Sequence, residues 1–199
     1  MTLVLVDEYM KSFPGINYFL MCHVIASSDA IKQFRRWCED VFEPDTLRFK
    51  YKNKVHFTDE DTAIKQVLVE AVKGLDVTAK IYIWSDAGKI DKENAMQWSF
   101  GFQLQTDAGS NFVVEQSGVE YDGLSAENVI VSEFKNYPEL AIADIFMGVF
   151  SSKFLSMKGD SNTSVDRFYR MLYPRIRFEL ERKPNGSIEK RTRSNKTEW

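Results

Sequence analysis

The chain is poor in the residues that build small metal or disulfide domains. In 199 residues there are two cysteines, Cys22 and Cys38, and two histidines, His23 and His56. No CxxC occurs, and these four cannot meet the usual Cys/His zinc spacings, which argues against a zinc finger and a disulfide framework alike. Cys22 lies in an apolar strand-like run and Cys38 in a helix-like one, so both read as reduced, buried thiols. Long hydrophobic runs are missing as well. Nothing approaches the roughly 18 apolar residues of a membrane span, and the opening MTLVLVDEYM has neither the basic region nor the apolar length of a signal peptide. The expectation is a soluble, cytoplasmic protein with no membrane association. No glycine-rich phosphate loop, internal repeat or low-complexity tract is visible.

Charge of one sign is also lacking, since the formal net charge is only −3. The average hides a contrast. Residues 160–199 hold ten Lys and Arg against six Asp and Glu, net +4, which leaves −7 on residues 1–159. An acidic body with a basic end is compatible with a carboxylate-rich site beside a phosphate-binding surface.

What is present is a core. The chain is 44% hydrophobic with 15 Phe, and a chain of this length buries about 70% of its unfolded surface on folding. LVLV (3–6) and NYFLMCHVIAS (17–27) are almost wholly apolar, as strands covered on both faces are. The Pro14-Gly15 turn between them predicts an antiparallel pair. A helix follows from Ser28 or Asp29 to Pro44, then an alternating basic stretch over 46–57. A second helix spans 58–75, with Thr58 and Asp61 as a capping box and Ile64, Val67, Leu68, Ala71, Val72 and Leu75 as its apolar face. TAKIYIWSD (78–86) is a third strand, 91–109 a helix, and 111–121 and 127–134 two further strands. YPELAIADIFMGVFSSKFL (137–155) is a helix entered through Pro138. After a short helix ending at Pro174, alternating segments around Asn185-Gly186 predict a hairpin. The pattern is a mixed α/β sheet flanked by helices, with a C-terminal β-hairpin.

Several carboxylates sit where apolar elements should bury them. Asp7 follows LVLV, Asp86 follows KIYIWS, Glu115 follows FVV, and Asp144 is the only charge between Glu139 and Lys153 on its helix. A lone carboxylate on such a helix is most often a structural residue satisfied by hydrogen bonds. Several converging carboxylates are another matter. They repel unless neutralised, and oxygen ligands suit a hard divalent ion, Mg²⁺ or Mn²⁺. Strand ends in α/β sheets are where such side chains meet. A pair of such ions clamps the attacking and leaving oxygens of a phosphodiester.

Three stretches carry a resemblance. LVLVDEYM (3–10), NYFLMCHVIASS (17–28) and NVIVSEFKNYPELAIADIFMGVFSSKF (128–154) resemble the ribonuclease H-like superfamily, and within it the bacterial and phage family known only as domain of unknown function three thousand eight hundred. The resemblance implies a ribonuclease H-like domain over 1–174, and Asp7 and Asp144 as catalytic metal ligands. Glu115 stands where the family usually has Asp, and Lys54 where a family motif begins with Glu. The expected site is therefore Asp7, Glu115 and Asp144 holding Mg²⁺ or Mn²⁺ in a nuclease or phosphodiesterase, with Glu8, Asp86 and His56 in reserve. The alternative is a catalytically silent module that binds nucleic acid or a protein partner.

His56 reads more readily as an ordinary strand-end polar residue than as a general base, and His23 as a core residue. Trp84 and Trp98 read as core. Residues 175–199 form a basic hairpin and tail on the same domain. Its cations Arg175, Arg177, Arg182, Lys183, Lys190, Arg191 and Arg193 are expected to share an exposed face that contacts phosphate or an acidic partner, with a solvated hairpin as the equal alternative.

Overall fold

Gly15 has a φ of +82°, a conformation that glycine adopts without steric cost. It turns β1 (Thr2–Phe13) back on β2 (Ile16–Ala26) as an antiparallel hairpin. The computed structural model describes residues 2–41, 56–115, 128–132, 136–157 and 163–192. β3 (Val77–Asp86) pairs antiparallel with β2, while β4 (Ser110–Glu115) lies parallel to β1 and β5 (Val129–Ser132) parallel to β4. β6 (Ile176–Arg182) joins β3 in parallel and folds back on β7 (Ile188–Thr192) through a turn in which Gly186 has a φ of +79°. The result is one seven-stranded mixed sheet, in the order β5-β4-β1-β2-β3-β6-β7. The predicted C-terminal hairpin forms, and it extends the central sheet.

Strand alternation divides the core in two. Leu5, Leu20, Cys22, Val24, Ile81, Ile83 and Val113 face α1 (Ser28–Val41), α2 (Thr62–Lys73), α4 (Leu140–Met157) and α5 (Thr163–Leu172). Val4, Val6, Phe19, Met21, Phe112 and Val114 face α3 (Lys92–Thr106) on the other side. α4 is apolar all round because it is the central helix of the larger layer. Its length and composition would also suit a membrane span, but 67% of it is buried in the fold, as in a core helix. The buried Glu139 just before α4 is gripped from α1 by Arg35, with contacts of 2.6 and 3.0 Å.

Several sequence expectations need correction. β1 does not end at Asp7 but continues to Phe13, because the β2 hairpin supplies pairing beyond the apolar run. Ser27 Oγ, ahead of Ser28 and Asp29, accepts the Ala30 N–H at the start of α1. The second helix begins later than expected. Phe57–Asp59 form a 3-10 turn, and Asp61 caps α2 by accepting the Ile64 N–H. Val67 is exposed where a core residue was expected, and Val69 is buried in its place. The basic stretch over 46–55 lies outside the described residues. Trp84 and Trp98 are partly exposed at the margin of the smaller cluster.

Gly148 explains an otherwise weak point in α4. A Cβ there would stand 2.5 Å from Cδ1 of Phe57. Glycine inside a helix costs about 1 kcal/mol relative to alanine, and here its absence of side chain admits the Phe57 ring. Gly148→Ala should therefore destabilise the protein by about 1–3 kcal/mol despite the better helix former. Urea unfolding measures this, and a stabilised variant would contradict the Phe57–Gly148 packing.

Candidate functional site

Asp7 lies on the central strand two residues after Leu5, and so on the face that packs against α4. β4 ends beside it. The parallel register matches Val6 with Val114, which places Glu115 at the level of Asp7 on the neighbouring strand and, like Val113, on the α4 face. Asp144 comes from the first half of α4, which crosses this part of the sheet. The β1 backbone, the end of β4 and a helix turn thus bring three carboxylates into one region of the α4 face, near enough for Asp144 and Glu115 to repel Asp7. Cys22 is the partner of Asp7 on β2.

The electrostatics reflect this convergence. The Asp7 carboxyl is raised well above its ordinary value of 3.8. Desolvation by the surrounding protein is the largest cause, followed by repulsion from Asp144, Glu8 and Glu115; a backbone hydrogen bond from Glu8 opposes it. The buried Cys22 thiol is likewise pushed up, first by burial and then by the charge of Asp7, so it is held protonated. Asp144 is not sealed in the core, since its side chain keeps 19% exposure at the site. Its Oδ2 accepts the Phe57 N–H at 2.8 Å, and its Oδ1 is 3.8 Å from Nδ1 of His56. Asp144 and Gly148 are one helical turn apart on α4. The glycine that seats the Phe57 ring therefore also positions the N–H that orients Asp144.

The reserve residues separate. His56 belongs to the site. Glu8 projects to the opposite, α3 face because side chains alternate along β1, although its charge is still felt at Asp7. Asp86 does not reach the site. It is aligned with Asn17, five residues further along the sheet than the Cys22–Ile81 row, and two strands from β1. Strand spacings put it about 19 Å from Asp7, on the α3 face, where its Oδ1 accepts the Gly88 N–H. Among the described residues, no three His, Cys, Asp or Glu side chains are grouped closely enough to cage a metal ion as they stand.

The cations of the C-terminal hairpin do not share one face. Arg191 sits among Glu179, Glu181 and Glu189, with Nη2 2.5 Å from Glu181 and Nε 2.9 Å from Glu189. Lys183 pairs with Glu189 at 2.5 Å. That pairing, together with Arg191, holds the Glu189 carboxyl down at about 2. Arg175 donates to the Lys73 carbonyl at the end of α2. Only Arg177, Arg182 and Lys190 lie on or beside the α3 face, and Arg193 falls outside the described residues. The period of two that predicts a basic face also divides its charges between two faces.

Sequence reading missed the support for Asp144. Its one visible signal was Gly148, a helix-weakening residue one turn beyond the lone acid. The core reading of His23 holds: it is fully buried, its Nε2 is 3.1 Å from Ser99 Oγ, and burial lowers its pKa to about 3.

The raised Asp7 carboxyl sets a sign for pH dependence. The fold favours protonated Asp7, so its contribution is full below about 3.8 and is lost as pH rises through the raised folded value. Asp7→Asn should gain stability relative to the metal-free wild type as pH goes from mildly acidic to neutral, read as diverging melting temperatures. Parallel melting curves across that range would contradict the carboxylate repulsion. No family model, curated protein or solved structure matches the chain.

Proposed function

We propose that the chain is a ribonuclease H-like phosphodiesterase that cleaves nucleic acid with Mg²⁺ or Mn²⁺. One observation carries the reading: β1, β4 and α4 turn Asp7, Glu115 and Asp144 toward one side of the sheet, where the Asp7 carboxyl is raised first by burial and then by repulsion from Asp144, Glu8 and Glu115. A protein without a cation to bind gains nothing from such repulsion, and a hard divalent ion relieves it. The antiparallel second strand and the late helix that brings its Asp to the first strand support the family resemblance. Asp7 and Asp144 would hold the ion, with Glu115 from the end of β4. When bound, the ion supplies Lewis-acid charge at a phosphodiester and lowers the pKa of water. The Phe57 N–H orients the Asp144 carboxylate, and His56 stands beside it, placed to take or return a proton.

A second reading has an observation of its own. No preformed three-donor cage exists among the described residues, which favours a module that binds without cleaving. Mn²⁺ distinguishes the two. An ion that binds only the folded state stabilises it by about 2.7 kcal/mol at a hundredfold excess over its dissociation constant.

Wild-type protein should therefore melt higher in Mn²⁺ and hydrolyse an oligonucleotide, and Asp144→Asn should lose both properties. Without metal, Asp144→Asn should be as stable as the wild type or more so, because the amide oxygen can still accept the Phe57 N–H while one repelling charge is gone. A metal-free loss of several kcal/mol would make Asp144 a structural partner and defeat the reading. A wild type that ignores Mn²⁺ would leave the silent module.

A further inference from the structure

Among the described residues, the sheet face opposite α4 is only half covered. α3 packs over β1, β2 and β4 through Ala95, Met96 and Phe100, and no described helix lies over β6 and β7. Strand register aligns the side chains of this face in rows, in which Phe19, Tyr82, Lys80 and Leu180 are buried while Met10, Ile188 and Lys190 are exposed. One row runs Met10, Phe19, Trp84, Arg182, Ile188; the next holds Tyr82, Leu180 and Lys190; a third holds Lys80, Phe178 and Thr192. Cations and rings interleave across these rows. The Arg182 guanidinium lies 3.9 Å from the Trp84 ring centre, and the Lys190 ammonium 5.0 Å from that of Phe178. Trp98 meets Trp84 edge-on at 5.7 Å and Phe102 at 5.4 Å, extending the aromatic surface onto α3. Trp84, Trp98, Phe102 and Phe178 are all partly open to solvent, and Arg177 and Lys190 are exposed.

The acids of the hairpin are elsewhere. Glu179, Glu181 and Glu189 project to the other face and surround Arg191. On this side, Glu8 stands on β1, Asp86 at the end of β3, and Asp107 just after α3. Sequence alternation has thus sorted the hairpin into an acidic face closed on itself and a basic, aromatic face open to solvent.

We propose that this face binds single-stranded nucleic acid, with phosphates on Arg177, Arg182 and Lys190 and unpaired bases stacked on the Trp84–Arg182 platform and on Phe178. Flat cations and rings accept any base by its π-face, which a duplex keeps hidden, and each stacked base contributes about 1–3 kcal/mol. The surface lies on the opposite side of the sheet from Asp7 and Asp144. It therefore binds whether or not the carboxylate site cleaves, and it is testable in EDTA, where no metal-dependent cleavage occurs.

The experiment is fluorescence-anisotropy titration of the full chain with a labelled single-stranded oligonucleotide and with its duplex, in EDTA, over a salt series. Arg182→Gln/Lys190→Gln is compared with the charge-matched Lys32→Gln/Arg36→Gln on the exposed surface of α1. The single strand should bind more tightly than the duplex and quench tryptophan emission, with the quench reduced in Trp84→Phe. The rim variant should weaken binding at least tenfold and lower the slope of log affinity against log salt by about 1.4, the loss of two phosphate contacts. The α1 variant should bind like wild type. An absence of single-strand binding, equal affinity for the duplex, or equal losses in the two double variants would each overturn the proposal.

Discussion

Repulsion among carboxylates on the α4 face is the constraint on which the rest of this fold can be read. Asp7 occupies a central strand of a seven-stranded sheet, between Leu5 and Tyr9 on the face that packs against α4. Two neighbouring elements then add like charge, β4 by ending at Glu115 and α4 by carrying Asp144. The surroundings follow from this arrangement. The hairpin extends β1 past Asp7, so the carboxylate stands within a paired strand. Cys22 beside it is a neutral, protonated thiol. Asp144 is steadied by the Phe57 backbone N–H, with the His56 ring 3.8 Å from its other oxygen.

That steadying is built from packing. Phe57 stands at the start of a 3-10 turn and places its ring against Gly148, and the approach is close enough that a methyl group on α4 would collide with it. A helix position with unfavourable propensity thereby fixes a loop, and the loop fixes the orientation of an acid one turn away. Arg35 performs a comparable task at the other end of the segment, holding Glu139 and so the entry to α4. Positioning in this site runs through helix packing as much as through polar contacts.

Much of the architecture was legible in the sequence because its signals were local. Continuous apolar runs marked β1 and β2, Pro14-Gly15 marked their turn, and Asn185-Gly186 marked the last hairpin. What could not be read was which face or level each charge would occupy. Asp7 and Asp86 look alike in sequence, each following an apolar strand, yet register separates them by two strands and five residues. Glu8 and Asp7 differ by one position and so by the whole thickness of the sheet. The hairpin cations read as one basic patch, and pairing across β6 and β7 divided them. The role of Gly148 depended on Phe57, more than ninety residues earlier, and no local pattern connects the two.

Burial first, and then the neighbouring carboxylates, raise the Asp7 carboxyl above its ordinary value, and a bound cation would lower it. Carbon-13 NMR of the Asp7 side-chain carboxyl, titrated with pH in the metal-free protein and again with Mg²⁺, tests this directly. The carboxyl should titrate well above 3.8 without metal and fall on adding Mg²⁺. An Asp7 that titrates at its ordinary value, and does not respond to Mg²⁺, would contradict the account.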